Sequence, residues 1–289
     1  MAQTREDTGS PPTVSGPPAS QIAFTCWTRE RGEQILTMQP DGSDIRPLTG
    51  GEGQGENGQP SWSPDGRRLC FISRRNGYGQ LYAMNADGSE HERLTCVQEA
   101  DDHAPAWSPD GGSIVFSRGN RTGADVLVLL DLTSGVERQL TEGDLVDSSP
   151  SWSPDGRWIA FRRSFADPPG IYVIPADGGD ARFLVPGHHP NWSPHGDCLA
   201  YAYGAALWLA EVDEAARSVG RATPLVCDSE LLIRGSSWSP DADALVFEAE
   251  IVTESGRSRR LMTVNVGGGG PREAGEGSQP DWSPLLQQA

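Results

Sequence analysis

Pro60-Ser61-Trp62-Ser63-Pro64-Asp65-Gly66 is the stretch that decides the fold of this 289-residue chain. Its Trp-Ser-Pro core occurs six times, with successive tryptophans 40 to 46 residues apart. The six copies begin at Trp62, Trp107, Trp152, Trp192, Trp238 and Trp282. Self-similarity at a fixed period of about 40 to 50 residues is typical of repeat architectures. The sequence therefore predicts one repeated unit that runs through nearly the whole chain.

Each unit divides into four short predicted strands, which are clearest in the second unit. Its extended segments are 59–63, 68–73, 80–84 and 91–95. Pro64 fixes φ for a tight turn, Asp65 can hydrogen-bond to nearby backbone, and Gly66 can adopt the left-handed conformation at the exit. The Asp87-Gly88 pair favours a second tight hairpin. Each unit is therefore expected to form a four-stranded antiparallel sheet.

The two ends of the chain predict how the units are arranged. Ile22–Cys26 matches a second strand, whereas Gln279–Pro284 matches a first strand with no second strand after it. We therefore expect an all-β, six-bladed β-propeller of four-stranded antiparallel blades, closed by the C-terminal strand joining the N-terminal blade. The propeller is expected over residues 21–284, with a disordered segment at 1–20 and a short tail at 285–289. The repeated tryptophan is expected to fill the wedge between adjacent blades.

The repeated phrase also resembles a known family. The unit is similar to the TolB-like, WD40-like β-propeller repeat (PD40). The similarity lies in four features: Pro-x-Trp-Ser-Pro-Asp-Gly, the strand that follows it, an Asp-Gly-Ser hairpin and a Leu-Thr ending. Pro60–Thr95 carries nearly the whole pattern, and the departures include His195 for the turn aspartate and Ala242 for the turn glycine. The resemblance implies the propeller fold and leaves the function open. In oligogalacturonate lyases, a related propeller holds a metal with central histidines and a glutamine.

Composition restricts the classes of partner. The formal net charge is −17, which disfavours binding to nucleic acid or to anionic membrane surfaces. No run of about 18 apolar residues is present, so no membrane span is expected. Residues 1–20 lack the apolar core of a secretory signal, which predicts a cytoplasmic protein. The five cysteines form no Cys-x-x-Cys pair and predict neither a disulfide framework nor a zinc module.

Candidate site residues lie in or beside the loops that lead into the first strand of each unit. These loops differ most between units, and variable loops on a regular scaffold carry binding functions. The predicted binding residues are Asp101, Asp102, His103, Asp147, His188, His189, Arg234 and Gln279. Five residues are also candidate metal ligands, because imidazole and carboxylate suit divalent cations. They are His103, His189, Asp102, Asp147 and Gln279. His103, His189 and Arg234 are the candidate catalytic residues.

Two functions remain open at this point. The favoured one is a non-catalytic, monomeric binding module that captures a protein or peptide segment, or a small ligand, at the mouth of the propeller channel. The alternative is a metal-assisted lyase or hydrolase acting on an acidic, sugar-like substrate through the histidines and carboxylates of the mouth. No cofactor is expected for the first function, and a divalent cation is possible for the second. No Gly-x-Ser-x-Gly phrase occurs, so no hydrolase nucleophile elbow is expected.

Overall fold

The computed structural model describes residues 20–284 except 52, 54, 121, 122, 214, 217, 254 and 255. Within this part of the chain the regular secondary structure is entirely β, and no helix capable of crossing a membrane is found there. Nearly all of the predicted disordered segment, residues 1–19, and the tail at 285–289 lie outside the described residues.

The described residues form 24 strands. The first twelve are β1 (Ile22–Thr28), β2 (Gly32–Met38), β3 (Arg46–Pro47), β4 (Asn57–Trp62), β5 (Arg68–Ser73), β6 (Gln80–Asn85), β7 (Glu92–Arg93), β8 (Asp102–Trp107), β9 (Ser113–Gly119), β10 (Asp125–Asp131), β11 (Glu137–Gln139) and β12 (Val146–Trp152). The other twelve are β13 (Trp158–Ser164), β14 (Gly170–Pro175), β15 (Arg182–Val185), β16 (His188–Trp192), β17 (Cys198–Tyr203), β18 (Ala206–Val212), β19 (Val219–Cys227), β20 (Leu231–Trp238), β21 (Ala244–Thr253), β22 (Gly256–Asn265), β23 (Arg272–Glu276) and β24 (Ser278–Trp282).

The strands pair in antiparallel groups of four, as predicted. Four separate sheets have the orders β24-β1-β2-β3, β4-β5-β6-β7, β16-β17-β18-β19 and β20-β21-β22-β23. The groups β8–β11 and β12–β15 are antiparallel within themselves and share one eight-stranded sheet. A single parallel pair, Asp125 with Val146, joins them. The four-stranded unit is therefore the element that the repeat encodes.

The last strand of the chain completes the first sheet. Strand β24 pairs with β1 through Ile22 with Trp282 and Ala23 with Asp281. The indole Nε1 of Trp282 also donates to Ser20 Oγ at 2.6 Å. Because β24 and β1 lie at opposite ends of the chain, this sheet joins the two ends.

The Ser-Pro-Asp-Gly turns are held by a repeated pair of side chains. Ser63 Oγ donates to Asp65 Oδ1 at 2.6 Å and accepts from the Arg68 amide at 2.9 Å. The same serine–aspartate pair occurs at Ser108 with Asp110, Ser153 with Asp155, and Ser239 with Asp241. In the unit where His195 replaces the aspartate, Ser193 Oγ instead donates to Asp197 at 2.9 Å. The motif is therefore scaffold, and the departure at His195 is compensated locally.

The core consists of six apolar clusters, each between consecutive four-stranded units. Trp62, for example, packs with Ala23 and Ile35 of the first unit and with Leu69 and Phe71 of the second. The tryptophans of the other copies belong to the other five clusters. Each buried ring of this size contributes roughly 4–6 kcal/mol from apolar area alone. The repeated tryptophan therefore fills the wedge between units, as predicted.

The first strands of the six units line the middle of the molecule. Contacts connect β4 to β8, β8 to β12, β12 to β16, β16 to β20, β20 to β24, and β24 to β4. Side chains placed one residue before the tryptophan link these neighbours. Asp281 accepts from the Trp62 amide at 2.7 Å, Ser237 Oγ from the Trp282 amide at 3.0 Å, and Ser151 Oγ from the Trp192 amide at 3.1 Å. These links position the cavity that the strands surround.

Candidate functional site

A cavity of about 2140 Å³ lies between the first strands of the six four-stranded units. Every one of these strands contributes to its lining. The contributors include Gln59, His103, Ser149, His189, Arg234 and Gln279. Of the predicted binding residues, the cavity therefore brings together His103, His189, Arg234 and Gln279, which lie on four different strands.

A repeated backbone irregularity aims one residue per strand at this cavity. The residue three positions before the tryptophan has a positive φ in five units and is Gly235 in the sixth. The five are Gln59 (56°), Ala104 (49°), Ser149 (54°), His189 (53°) and Gln279 (51°). Pairing with the neighbouring strand shifts register in each unit at this point. Bulges of this kind redirect a side chain and occur next to functional sites, at a cost of roughly 1–3 kcal/mol per strained residue.

We call the six residues Gln59, Ala104, Ser149, His189, Gly235 and Gln279 the bulge ring. Of these six, His189 and Gln279 were predicted from their chemistry, and the other four were not. Their fixed distance from the repeated tryptophan was visible in the sequence. Nothing in their residue types indicated a left-handed backbone, because alanine, serine and glutamine do not favour it.

The two glutamines of the bulge ring hold neighbouring strands together. Gln59 Oε1 accepts from the Ala104 amide at 2.5 Å. Gln279 Oε1 accepts from Thr25 Oγ1 at 2.9 Å, and the same hydroxyl oxygen accepts from the Gln59 amide at 2.9 Å. Gln279, a predicted metal ligand, therefore has its carbonyl oxygen engaged by the scaffold.

Two of the predicted carboxylates are buried in ion pairs with arginines of the adjacent strand. Asp102 faces Arg118 with oxygen–nitrogen distances of 2.6 and 3.1 Å, and Asp147 faces Arg163 at 2.7 and 2.8 Å. Both aspartates are at most 1 % exposed. The hydrogen bonds to Asp147 also raise the pKa of Arg163 above its ordinary value, against the effect of burial. We call these four residues the acid–arginine pairs.

The remaining acidic candidate and His103 lie nearer the surface. Asp101 accepts from the Gly79 amide at 2.7 Å and pairs with Arg74. Partial burial opposes ionisation, but these two partners hold the pKa of Asp101 below its ordinary value. His103 Nε2 lies 3.1 Å from Asp125 Oδ2, a partner that the sequence analysis did not identify.

Histidines and arginines lie together on β13, β16 and β20, and two of them, His189 and Arg234, line the cavity. His188 and His189 are adjacent on β16, with ring centroids 5.1 Å apart and nearly perpendicular planes. Ser149 Oγ lies 3.2 Å from Nδ1 of His189. Burial, followed by the charges of Arg162 and Arg234, lowers the pKa of His188. The pKa of His189 is lowered to about 3, mainly by burial and further by the neighbouring His188 and the charges of the same two arginines.

We call Arg162, His188, His189 and Arg234 the basic corner. Arg234 donates to Glu250 Oε2 through Nε at 3.2 Å and Nη2 at 2.9 Å. Arg162 lies opposite Ser148 in the pairing of β12 with β13, one residue from the serine that contacts His189. The imidazoles of this corner are therefore neutral at neutral pH and lie beside two permanent positive charges.

Two carboxylates at the cavity were missed, the buried Glu248 and the partly buried Asp281. Glu248 accepts from the Gln279 amide at 3.0 Å, and burial raises its pKa above the ordinary value. Asp281, at the link between β24 and β4, has its pKa raised to about 6 by burial, although the Trp62 amide and Ser237 donate to it. Glu248 lies within an apolar strand pattern and Asp281 directly before a repeated tryptophan, and nothing in the sequence indicated either role.

No group of three or more histidine, cysteine, aspartate or glutamate side chains with metal-binding geometry occurs among the described residues. The five candidate ligands His103, His189, Asp102, Asp147 and Gln279 do not form such a group there, and Asp102 and Asp147 are already neutralised by arginines. The residues present therefore fit a divalent cation poorly.

Comparison with known proteins identifies the family. The model of the TolB β-propeller domain (PD40) matches residues 2–104 and 97–286. The chain belongs to the TolB β-propeller family. This confirms the resemblance carried by the Trp-Ser-Pro-Asp-Gly phrase.

Individual relatives of this TolB-family chain match in part. The Tol-Pal system protein TolB of Thioalkalivibrio sulfidiphilus is 35% identical over 86 residues, which are 29% of this chain and 20% of that protein. The matched segment thus spans only about a fifth of that relative's length. The crystal structure of TolB from Acinetobacter baumannii has a TM-score of 0.73 at 20% identity, covering 92% of this chain and 67% of that chain.

An oligogalacturonate lyase in complex with manganese matches less well. Its TM-score is 0.53 at 15% identity, covering 88% of this chain and 73% of that chain. Both structural matches are below 25% identity, so they show the fold alone.

Proposed function

We propose that this chain is a non-catalytic binding module that captures a protein or peptide segment, or a small ligand, at the mouth of the central cavity. The observation that carries the proposal is the bulge ring. Six equivalent positions around one cavity of about 2140 Å³ carry five different residue types on an otherwise repeated scaffold. A repeated frame with a variable inner ring is the arrangement expected of a binding site.

The same proposal includes a closed, six-bladed ring over residues 21–284. Three observations support it: the pairing of β24 with β1, the contacts that lead from β4 through β20 and β24 back to β4, and the six apolar clusters between consecutive units. A closed ring would hold the cavity open without a ligand, so that binding requires little reorganisation.

The metal-assisted lyase has weaker support. The manganese-bound oligogalacturonate lyase is a more distant structural match than TolB. The acid–arginine pairs also occupy two of the carboxylates that a metal would need. The absence of nucleic-acid binding, a monomeric state and a cytoplasmic location remain predictions from composition.

Selection from a random peptide library on the purified full chain tests the proposal. Enriched peptides are expected to bind the wild type and the Val136→Trp variant, whose substitution lies on an exposed hairpin. They are expected to lose at least about tenfold in affinity for His103→Trp, which narrows the cavity mouth. Equal binding to both variants, or turnover of oligogalacturonate in the presence of manganese, would overturn the proposal.

A further inference from the structure

The basic corner contains charge that the fold itself does not use. Arg162 is exposed, and its side chain has no hydrogen-bond or ion-pair partner among the described residues. Nδ1 of His188 is buried and likewise has no hydrogen-bond partner in that part of the chain. A buried imidazole nitrogen without a partner loses its hydrogen bonds to water without replacement, so proteins rarely keep one without another use.

The balance of charge at this corner is opposite to that of the whole chain. Arg234 shares the carboxylate of Glu250 with Arg257, whose Nη1 lies 2.8 Å from Oε1. Arg259 lies 3.6 Å from the carboxylate of Glu248. With Arg162 there are four arginines for two carboxylates, in a chain whose net charge is −17. A local positive site within an acidic protein attracts a small anionic group while the rest of the surface repels large polyanions.

The geometry indicates where that group would lie. His189 and Arg234 both line the cavity and lie on β16 and β20, which contact each other. Arg162 lies on β13, which contacts β16, and it is paired with Ser148, the neighbour of the serine that contacts His189. The charges of Arg162 and Arg234 both act on the two histidines, so two arginines from different strands lie near this pair.

A carboxylate suits this arrangement better than a phosphate. The planar guanidinium fork matches the two oxygens of a carboxylate, and a neutral imidazole can donate one further N–H. A singly charged group also meets less repulsion from the surrounding acidic chain than a dianionic phosphate does.

We propose that the basic corner binds a carboxylate group of the captured ligand between Arg162 and Arg234, with an N–H of His188 or His189 as the third donor. This inference rests on the proposed function, since it assigns the chemistry of one end of the ligand at the same cavity mouth. The carboxylate can belong to the end of a peptide, to an acidic side chain or to a small organic acid.

The test uses acetate as the probe, and so does not require the natural ligand. The ¹⁵N-labelled full chain is titrated with acetate at constant ionic strength, and the arginine Nε–H and imidazole signals are followed by NMR. Signals assigned to Arg162, Arg234 and His188 are expected to move along a common saturable curve. Arg162→Gln is expected to weaken acetate binding about tenfold and Arg162→Lys by less, because lysine keeps the charge and loses the fork.

The matched control is Arg29→Gln, which removes another exposed arginine and leaves the acetate curve unchanged. The inference is overturned if the shifts are linear in acetate, or if the Arg162 and Arg29 variants behave alike. Tighter binding of inorganic phosphate than of acetate would overturn the assignment to carboxylate. Acetate binding without any peptide capture would reject only the proposed function, whereas peptide capture that does not depend on Arg162 would reject only this inference.

Discussion

The two sides of the cavity mouth use arginine in opposite ways. On β8 and β12, Asp102 and Asp147 are buried and each is matched by an arginine from the next strand. At the basic corner, Arg162 is exposed without a partner and two neutral histidines lie beside it. The first side satisfies its own charge and stabilises the sheets, whereas the second leaves charge available. The difference separates residues that build the mouth from residues that can bind there.

The largest effect is expected from breaking an acid–arginine pair. Asp147→Ala leaves the mostly buried guanidinium of Arg163 without its partner and is expected to lower the free energy of unfolding by about 3–5 kcal/mol. Denaturant unfolding at neutral pH measures the change. The matched control is Glu92→Ala, which removes one member of an exposed pair with Arg68 and is expected to cost less than about 1 kcal/mol. Equal costs for the two variants would show that burial does not distinguish these pairs.

Much of the architecture followed from residues whose types have one dominant local use. The serine, proline, aspartate and glycine of the repeated turn act on the backbone within five residues, as the bonds from Ser63 illustrate. The repeated tryptophan packs between neighbouring sheets, a position that occurs once per unit in a repeating arrangement of this kind. Short-range chemistry of this kind can be predicted from one sequence.

The site was predicted less well because its roles depend on partners that are distant in sequence. Asp102 and Asp147 have the chemistry of metal ligands, but each lies opposite an arginine that follows it by 16 residues, across a hairpin. The spacing was visible, but the choice between an ion pair and a metal required the strand register. The carboxylate of Asp281 accepts from the amide of Trp62, more than 200 residues earlier, and no local pattern indicates such a contact.

His189 and Asp281 are expected to make the stability of the fold depend on pH in opposite directions. His189 has a pKa of about 3 in the folded chain and about 6.5 when unfolded, so the unfolded state binds more protons between these values. Its contribution to stability is full above pH 6.5 and is lost as the pH falls towards 3. Asp281 acts in the opposite sense, since its raised pKa of about 6 makes its contribution decline as the pH rises from about 4 to 6.

The variant His189→Asn separates the two contributions. Asparagine tolerates the positive φ of this position and keeps a hydrogen-bonding group near Ser149. Between pH 7.5 and pH 5 the wild type is expected to lose about 2 kcal/mol more stability than His189→Asn. Unfolding midpoints at the two pH values measure the difference, with Asp281→Asn as the variant of opposite sign. A variant that loses as much as the wild type would mean that His189 titrates normally in the fold.

The smallest effect on stability is expected from replacing Arg162, the exposed arginine of the basic corner. Arg162 and Arg163 are adjacent on β13, and successive side chains of a strand point to opposite faces. Arg163 packs over the ring of Phe161 at 5.2 Å and pairs with Asp147, whereas Arg162 is exposed at the basic corner. Arg163→Gln is therefore expected to cost about 3 kcal/mol, and Arg162→Gln less than about 0.5 kcal/mol. Thermal and denaturant unfolding of this neighbouring pair compare the two sides within one strand. If Arg162→Gln destabilises the chain as much as Arg163→Gln does, both arginines belong to the scaffold, and the charge at the basic corner is not available for a ligand.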